Sequence, residues 1–299
     1  MKRKPCISVI MPVYNVERYV SNAVESIINQ TFEDFEFIII DDASTDNTHN
    51  IVSSYKDPRI ILIKNKKQMG VALSLNKGIR CAQGDYIIRM DGDDISSEKR
   101  FEVQISYMKH NTRIGICGSH MDIIDKNGTL ISSQKKRIGY ENIKIGLFWG
   151  HTSLAHPSII MRKNLLDKFQ LRYDQAYYYA EDYDLFCRSS LNFVMDNIPE
   201  KLIKYRVHTE SVSNRYNEHQ RIDARMALFL HLRRLGIDIN YKEFKLHSNF
   251  FLKLPNEPNY SLDDKATWIQ QLVDFNKKNK IFDHCTFRTS CDQLIKNNL

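Results

Sequence analysis

The first ninety residues alternate between short apolar runs and longer stretches in which apolar positions recur every three or four residues. Residues 7–11 are partly β-branched and predict a buried strand, closed by the turn Pro12-Val13-Tyr14-Asn15. Residues 16–30 then space Val20, Val24, Ile27 and Ile28 along one helix face. A second strand over 35–40 ends in Asp41-Asp42-Ala43-Ser44-Thr45-Asp46, where Asp46 or Ser44 is a candidate cap for a helix to about Tyr55. Residues 60–63 predict a third strand, and 69–82 a helix opened by Gly70. Behind the turn Gly84-Asp85, Tyr86-Ile87-Ile88-Arg89 predicts a fourth strand. Strands alternating with helices in this way imply an α/β fold with a doubly wound, mainly parallel sheet.

Beyond that point the alternation is less regular. Residues 97–109 predict a helix, 114–117 an extended segment, and 121–132 a hairpin or loop pair around Asn127-Gly128. An aromatic and histidine-rich stretch over 149–161 holds a strand at 158–161, and a helix starts at Glu181-Asp182 and runs to about Leu191. Residues 203–208 predict a strand that enters a serine-rich loop over 209–214. From Glu218 the pattern becomes helical, with Ile222, Met226, Phe229 and Leu230 on one face. The expected organisation is a domain over 1–215 and a C-terminal helical appendage over 216–299, without internal repeats.

Composition narrows the partners. The formal charge of +7 and the pI near 8.9 are moderately basic, yet no long Arg/Lys block occurs. Nucleic acid is therefore not the expected partner; anionic nucleotides or lipids suit the charge equally well. Six scattered cysteines, mostly in apolar runs, predict buried thiols in a reducing compartment. The basic N-terminus lacks a following apolar core of signal length, and no run approaches the roughly 18 apolar residues of a membrane span. A cytoplasmic protein is expected, with possible peripheral contact at the inner face of the membrane through Arg221, Arg225, Arg233 and Arg234 beside the apolar helix face.

The candidate chemistry lies in Asp91-Gly92-Asp93-Asp94, at the end of the fourth predicted strand. Three carboxylates in four residues repel one another unless a cation compensates them, and strand ends of open α/β sheets are where ligands bind. The pattern points to a divalent cation holding an anionic substrate; the alternative is a solvated acidic turn. An EF-hand fits poorly, because the glycine comes too early. A dinucleotide oxidoreductase is disfavoured, since Pro12-Val13-Tyr14-Asn15 stands where a G-x-G-x-x-G would follow the first strand.

Together with Gly70, Asn76 and Gly78, and with His156-Pro157-Ser158, Glu181-Asp182 and Arg206-Val207-His208, these motifs resemble glycosyltransferase family 2 over roughly residues 7–214. That family comprises inverting nucleotide-sugar transferases of the GT-A fold, here most similar to bacterial enzymes of lipooligosaccharide, O-antigen or capsule assembly. The resemblance implies a UDP-sugar donor, a saccharide or glycolipid acceptor, and Mn2+ or Mg2+ bound at a DXD motif. It assigns Pro12, Val13, Tyr14, Asp42, Gly70, Asn76 and Asp91 to the nucleotide, with Asp42 accepting the uracil N–H. Asp93, His208 and Asp91 fall to the metal, and Asp182 is the general base. Glu181, His156, Trp149 and Tyr179 are expected at the acceptor. Each has a plainer alternative: helix capping for Asp41, Asp42 and Gly70, a structural role for His208, helix-dipole stabilisation for the Glu181-Asp182 pair, and core packing for the aromatic residues. A catalytically silent carbohydrate-binding or partner protein on the same scaffold is the alternative function.

Overall fold

The computed structural model describes residues 3–209, 217–255, 257 and 259–297. Its first half follows the alternation read above: β1 (Ile7–Val13), α1 (Val20–Ile28), β2 (Phe35–Asp41), α2 (Thr48–Ser54), β3 (Ile60–Lys64), α3 (Val71–Cys81) and β4 (Tyr86–Arg89). β1 pairs in parallel with β2 and β4, and β2 with β3. Side chains of β1 alternate as a strand requires. Ile7, Val9, Met11 and Val13 join one buried cluster, whereas Ile10 packs with Ile38 and Ile40 on the other face. Gly78 lets α3 approach that second face, since a Cβ there would lie 2.4 Å from Ile10 Cγ2.

The second half makes the sheet mixed. It adds β5 (Ile95–Ser96), α4 (Arg100–His110), β6 (Ile114–Ile124), β7 (Leu130–Gln134), α5 (Tyr140–Phe148), a 3-10 turn (His156–Ser158), β8 (Ile160–Arg162), α6 (Lys163–Lys168), α7 (Glu181–Ser189) and β9 (Val194–Arg206). The strand order is β3-β2-β1-β4-β8-β6-β9-β5, with β7 paired to β6. β8 runs antiparallel to β4 and β6, β5 antiparallel to β9, and β6 parallel to β9. β9 begins nine residues earlier than the apolar pattern indicated. Asn197, Pro199, Glu200 and Lys201 interrupt that pattern, and the ladder absorbs them as register shifts against β6. The serine-rich loop read at 209–214 lies, beyond Thr209, outside the described residues.

The C-terminal region supplies α8 (Asn217–Arg234), α9 (Tyr241–Ser248), α10 (Leu262–Asn279) and α11 (His284–Asn297). These helices share a continuous apolar cluster with the sheet, running from Ile10 to Leu294. On the α8 face read as apolar, Ile222, Met226 and Leu230 are exposed, while Ala224, Ala227, Leu228 and Leu232 on the other side are buried. Apolar residues occupy both sides of this helix, and the side with the alanines allows the closer approach to α5 and α7. Its arginines serve the chain itself. Arg221 donates to the Lys253 carbonyl at 2.7 Å, Arg225 pairs with Glu257 at 2.6 Å, Arg233 pairs with Asp238, and Arg234 lies 3.8 Å from Asp184. Among the described residues no helix is long and apolar enough to cross a membrane.

Candidate active site

The turns after β1 and β2 are fastened to each other and form one wall of a cleft of about 640 Å³. Asn15 (φ 51°) and Ala43 (φ 63°) both take the left-handed conformation, which only a surrounding network holds in place for a non-glycine residue. That network is visible. The Thr45 N–H donates to Asn15 Oδ1 at 2.8 Å, the Asn15 N–H to Ser44 Oγ at 3.2 Å, and the Glu17 N–H to Asp46 Oδ2 at 3.0 Å. Asp46 also accepts from the Thr48 N–H at 2.9 Å at the start of α2, although the residue flanking the helix is Asn47. Asp41, fully buried at the end of β2, accepts from the Ser44 N–H at 2.8 Å and faces His49 Nδ1 at 2.9 Å.

Asp42 shapes the floor. Its two oxygens accept from Asn65 Nδ2 at 2.7 Å, from the Met69 N–H at 2.9 and 3.1 Å, and from the Gly70 N–H at 2.8 Å. Gly70 (φ 89°) then turns into α3, and a Cβ on it would come 3.0 Å from the Tyr178 ring. Asn76 is not in the cleft. Its amide clasps the Tyr173 backbone in both directions, at 2.7 and 3.0 Å, so the expected nucleotide contact gives way to a structural one.

At the cleft's other end, Asp91, Asp93 and Asp94 bring carboxylate oxygens within 4.8 Å of one another. Asp91 pairs with Arg89, two positions back along the chain. Asp93 Oδ2 stands 3.0 Å from His208 Nε2, and the imidazole rests against Tyr19 with ring centroids 4.9 Å apart. Asp94 sits behind the wall: one oxygen accepts from the Arg206 N–H at 2.8 Å, and the other is buried without a hydrogen-bond partner. Burial and the neighbouring Asp93 and Asp91 push its carboxyl well above the usual range, and burial likewise raises Asp91 against the pull of Arg89. A cluster of hard oxygens with one imidazole, one buried oxygen lacking a partner, fits a hard divalent cation such as Mn2+ or Mg2+. The residues facing the cleft are Asp91, Asp93 and His208.

Beside this group, α7 begins with Glu181 and Asp182. Burial first, then the adjacent Asp182, push the Glu181 carboxyl up to about 8. Asp182 is also raised by burial, with the Tyr183 N–H, Arg89 and Lys136 pulling it back. Burial thus raises both neighbouring carboxyls above the usual carboxylate range, Glu181 to about 8.

Glu181 and His156 are 7% and 8% exposed, with His156 Nδ1 3.8 Å from Glu181 Oε1 and His156 Nε2 2.9 Å from the Tyr173 hydroxyl. They form an inner network instead of an open acceptor surface. Trp149 is 1% exposed, stacked between His247 (5.0 Å) and Phe287 (6.2 Å) of the C-terminal helices. Its expected acceptor contact is corrected accordingly: the indole has no face left to offer. The cleft therefore gathers Pro12, Val13, Tyr14, Asp42, Gly70, Asp91, Asp93, His208 and Tyr179 from the expected set; Asn76, Trp149, His156, Glu181 and Asp182 are not part of its lining. It adds Arg18, Gln68, Ser74 and Tyr178, which the sequence reading did not assign. Arg89 was legible in principle, since strand residues two apart share a face.

Comparison with known proteins follows this geometry. The model of the family described as glycosyl transferase family 2 matches residues 8–169. A Haemophilus influenzae protein described as an uncharacterized glycosyltransferase is 36% identical over 253 residues, covering 80% of this chain and 78% of the relative. The Escherichia coli protein WfgD, a UDP-Glc:alpha-D-GlcNAc-diphosphoundecaprenol beta-1,3-glucosyltransferase, is 29% identical, covering 72% of this chain and 83% of its own. Among solved structures, S. aureus TarS in complex with UDP-GlcNAc superposes with a TM-score of 0.65 at 19% identity, over 90% of this chain and 80% of that one. At that identity the likeness speaks for the fold, which is GT-A. The extent of the family match and the closeness of the Haemophilus relative carry the assignment: this chain belongs to glycosyltransferase family 2.

Proposed function

We propose that the protein is an inverting, metal-dependent glycosyltransferase that moves a hexose or N-acetylhexosamine from a UDP-sugar to a hydroxyl of a saccharide or glycolipid acceptor, in the assembly of a bacterial surface polysaccharide. The observation that carries this reading is the adjacency of two groups. The Asp91-Asp93-His208 cluster ends the cleft, and Asp182 stands near enough for its charge to raise Asp91. Pro12, Val13 and the half-exposed Tyr14 offer an apolar and aromatic wall suited to a nucleoside. Asp42 holds the Met69 and Gly70 backbone beneath it, and a base N–H would share one of its occupied oxygens. Asp93, His208 and Asp91 would hold Mn2+ or Mg2+, which when bound offsets charge gathering on the departing diphosphate. Asp182 takes the acceptor hydroxyl proton, Arg89 fixes Asp91, and the neutral Glu181 keeps a second negative charge away from the base.

WfgD acts, by its description, on a lipid-linked sugar, which supports a glycolipid acceptor here. Such an acceptor would bring the protein to the inner face of the membrane, where the exposed Ile222, Met226 and Leu230 would meet it. The test is UDP release from a panel of UDP-sugars, with and without saccharide acceptors and Mn2+, followed by NMR of the product. An α-linked donor should yield a β linkage. An α product, or no UDP release from any UDP-sugar, overturns the reading.

A further inference from the structure

At the opposite end of the sheet from the cleft, the starts of β1 and β4 and the end of β8 border a second cavity, of about 680 Å³. Arg3, Lys4, Lys109 and Arg162 line it, against the carboxylates of Asp34 and Asp85. Arg3 lies 3.6 Å from Asp34 and Lys4 pairs with Asp85, so both acids are already engaged. Among the described residues neither Lys109 nor Arg162 has a carboxylate within ion-pair distance. Arg162 is half-buried and fixed in place. Its Nε donates to the Ile114 carbonyl at 2.8 Å, its Nη1 to the Tyr86 hydroxyl at 2.9 Å, and its Nη2 to the Met108 and Asn111 carbonyls at 2.5 and 3.4 Å. Every one of these partners is neutral. A guanidinium carries five N–H donors, so one on Nη1 is left over.

The plainer role of Arg162 is to cap α4, whose last carbonyls it holds. That role leaves charge over, because a helix C-terminus carries only about half a negative unit and two cations here lack an acid. The Cys6 thiol at the cavity wall adds no compensating charge, since burial raises its pKa. Pro5, Phe32 and Tyr86 complete the lining with apolar surface, and the volume leaves room for more than a lone oxyanion. We propose that this cavity is a second ligand site, taking a small phosphorylated compound of sugar-phosphate size whose phosphate sits between Lys109 and Arg162. A phosphate dianion matches the two excess cations; arginine meets it with a planar fork, and Lys109 contributes a point charge. The site is separate from the cleft, because the run from Tyr86 to Asp91 spans roughly 15 Å of extended chain. The proposal stands independently of sugar transfer.

The test titrates the full chain by calorimetry with glucose 6-phosphate, inorganic phosphate and glucose, each with and without UDP and Mg2+ filling the cleft. Glucose 6-phosphate should bind at one site with salt-dependent affinity whether or not UDP is present, and glucose should not bind there. Inorganic phosphate should bind more weakly, because it leaves most of the cavity empty. Lys109 is exposed, so its replacement does not threaten the fold. Lys109→Glu should weaken glucose 6-phosphate roughly tenfold, the loss of one charge-assisted hydrogen bond, and leave UDP affinity unchanged. Lys109→Arg should retain binding. The proposal is overturned if glucose 6-phosphate does not bind, binds the wild type and Lys109→Glu alike, binds no more tightly than inorganic phosphate, or is excluded once UDP fills the cleft. UDP binding is read separately, so its absence counts against the proposed function alone.

Discussion

On the donor bank of the cleft, Asp41, Asp42 and Asp46 each have both carboxylate oxygens engaged by neighbouring groups of the protein. Outside the cleft lining, Arg137 Nε and His151 Nδ1 are buried with none. The donor bank is therefore organised before any ligand arrives, its two strand-end turns stapled by side chains of Asn15, Ser44 and Asp46. The Arg137–His151 region keeps buried polar groups without hydrogen-bond partners among the described residues. Preorganisation suits a ligand whose contacted part is constant.

The largest expected break is at the anionic end of the cleft. Asp93→Ala removes the carboxylate 3.0 Å from His208, and EDTA removes any bound cation; both should abolish UDP release, with Mn2+ or Mg2+ restoring only the wild type. A folded Asp93→Ala variant with full turnover would dissolve the distinction, since the cleft would then work without its anionic end. Asp42→Ala is the corresponding test of donor-bank preorganisation. It strands the Met69 and Gly70 N–H groups, so the urea-unfolding free energy should fall by about 1–3 kcal/mol and UDP affinity should fall with it. Unchanged UDP affinity would mean that the floor of the cleft is not held by this residue.

A smaller effect sharpens the contrast from outside the cleft. His247 is fully buried, with its Nε2 2.8 Å from the Phe148 carbonyl and its Nδ1 accepting from Trp268 Nε1 at 3.2 Å. That network requires a neutral ring, and burial pushes its pKa down to about 4. The unfolded chain, with an ordinary histidine near 6.5, takes up the proton first as pH falls. The stabilisation is complete above about pH 6.5 and is lost toward pH 4, at up to about 1.4 kcal/mol per unit. Urea midpoints at pH 7 and pH 5 should show the decline, and His247→Gln should reduce it.

The same contrast governed what could be read from the residues alone. Donor-bank chemistry lies at strand ends, where apolar runs stop at Pro12-Val13-Tyr14, Asp41-Asp42 and Asp91-Gly92-Asp93, so location and chemistry were visible together. Strand β5 was not legible, because two residues carry no alternation, and the exposed, polar β7 surfaced only as half of a hairpin. Lys136 and Arg137 drew no reading, since nothing local in the sequence indicates that β6, β9 and α5 pack against their loop. Trp149 and Asn76 erred the other way. Their chemistry suited a sugar or a nucleotide, but the C-terminal helices cover the indole and the Tyr173 backbone takes the amide.

The separation of donor binding from transfer is tested most directly by Asp182→Asn, assayed in parallel for both. The substitution keeps the shape of the side chain and the bond from the Tyr183 N–H while removing the basicity. UDP-sugar affinity in Mn2+ should remain near that of the wild type, and transfer to acceptor should fall by roughly 10²–10⁴-fold. Near-normal transfer, or a loss of donor affinity that accounts for the whole decline, would contradict the account.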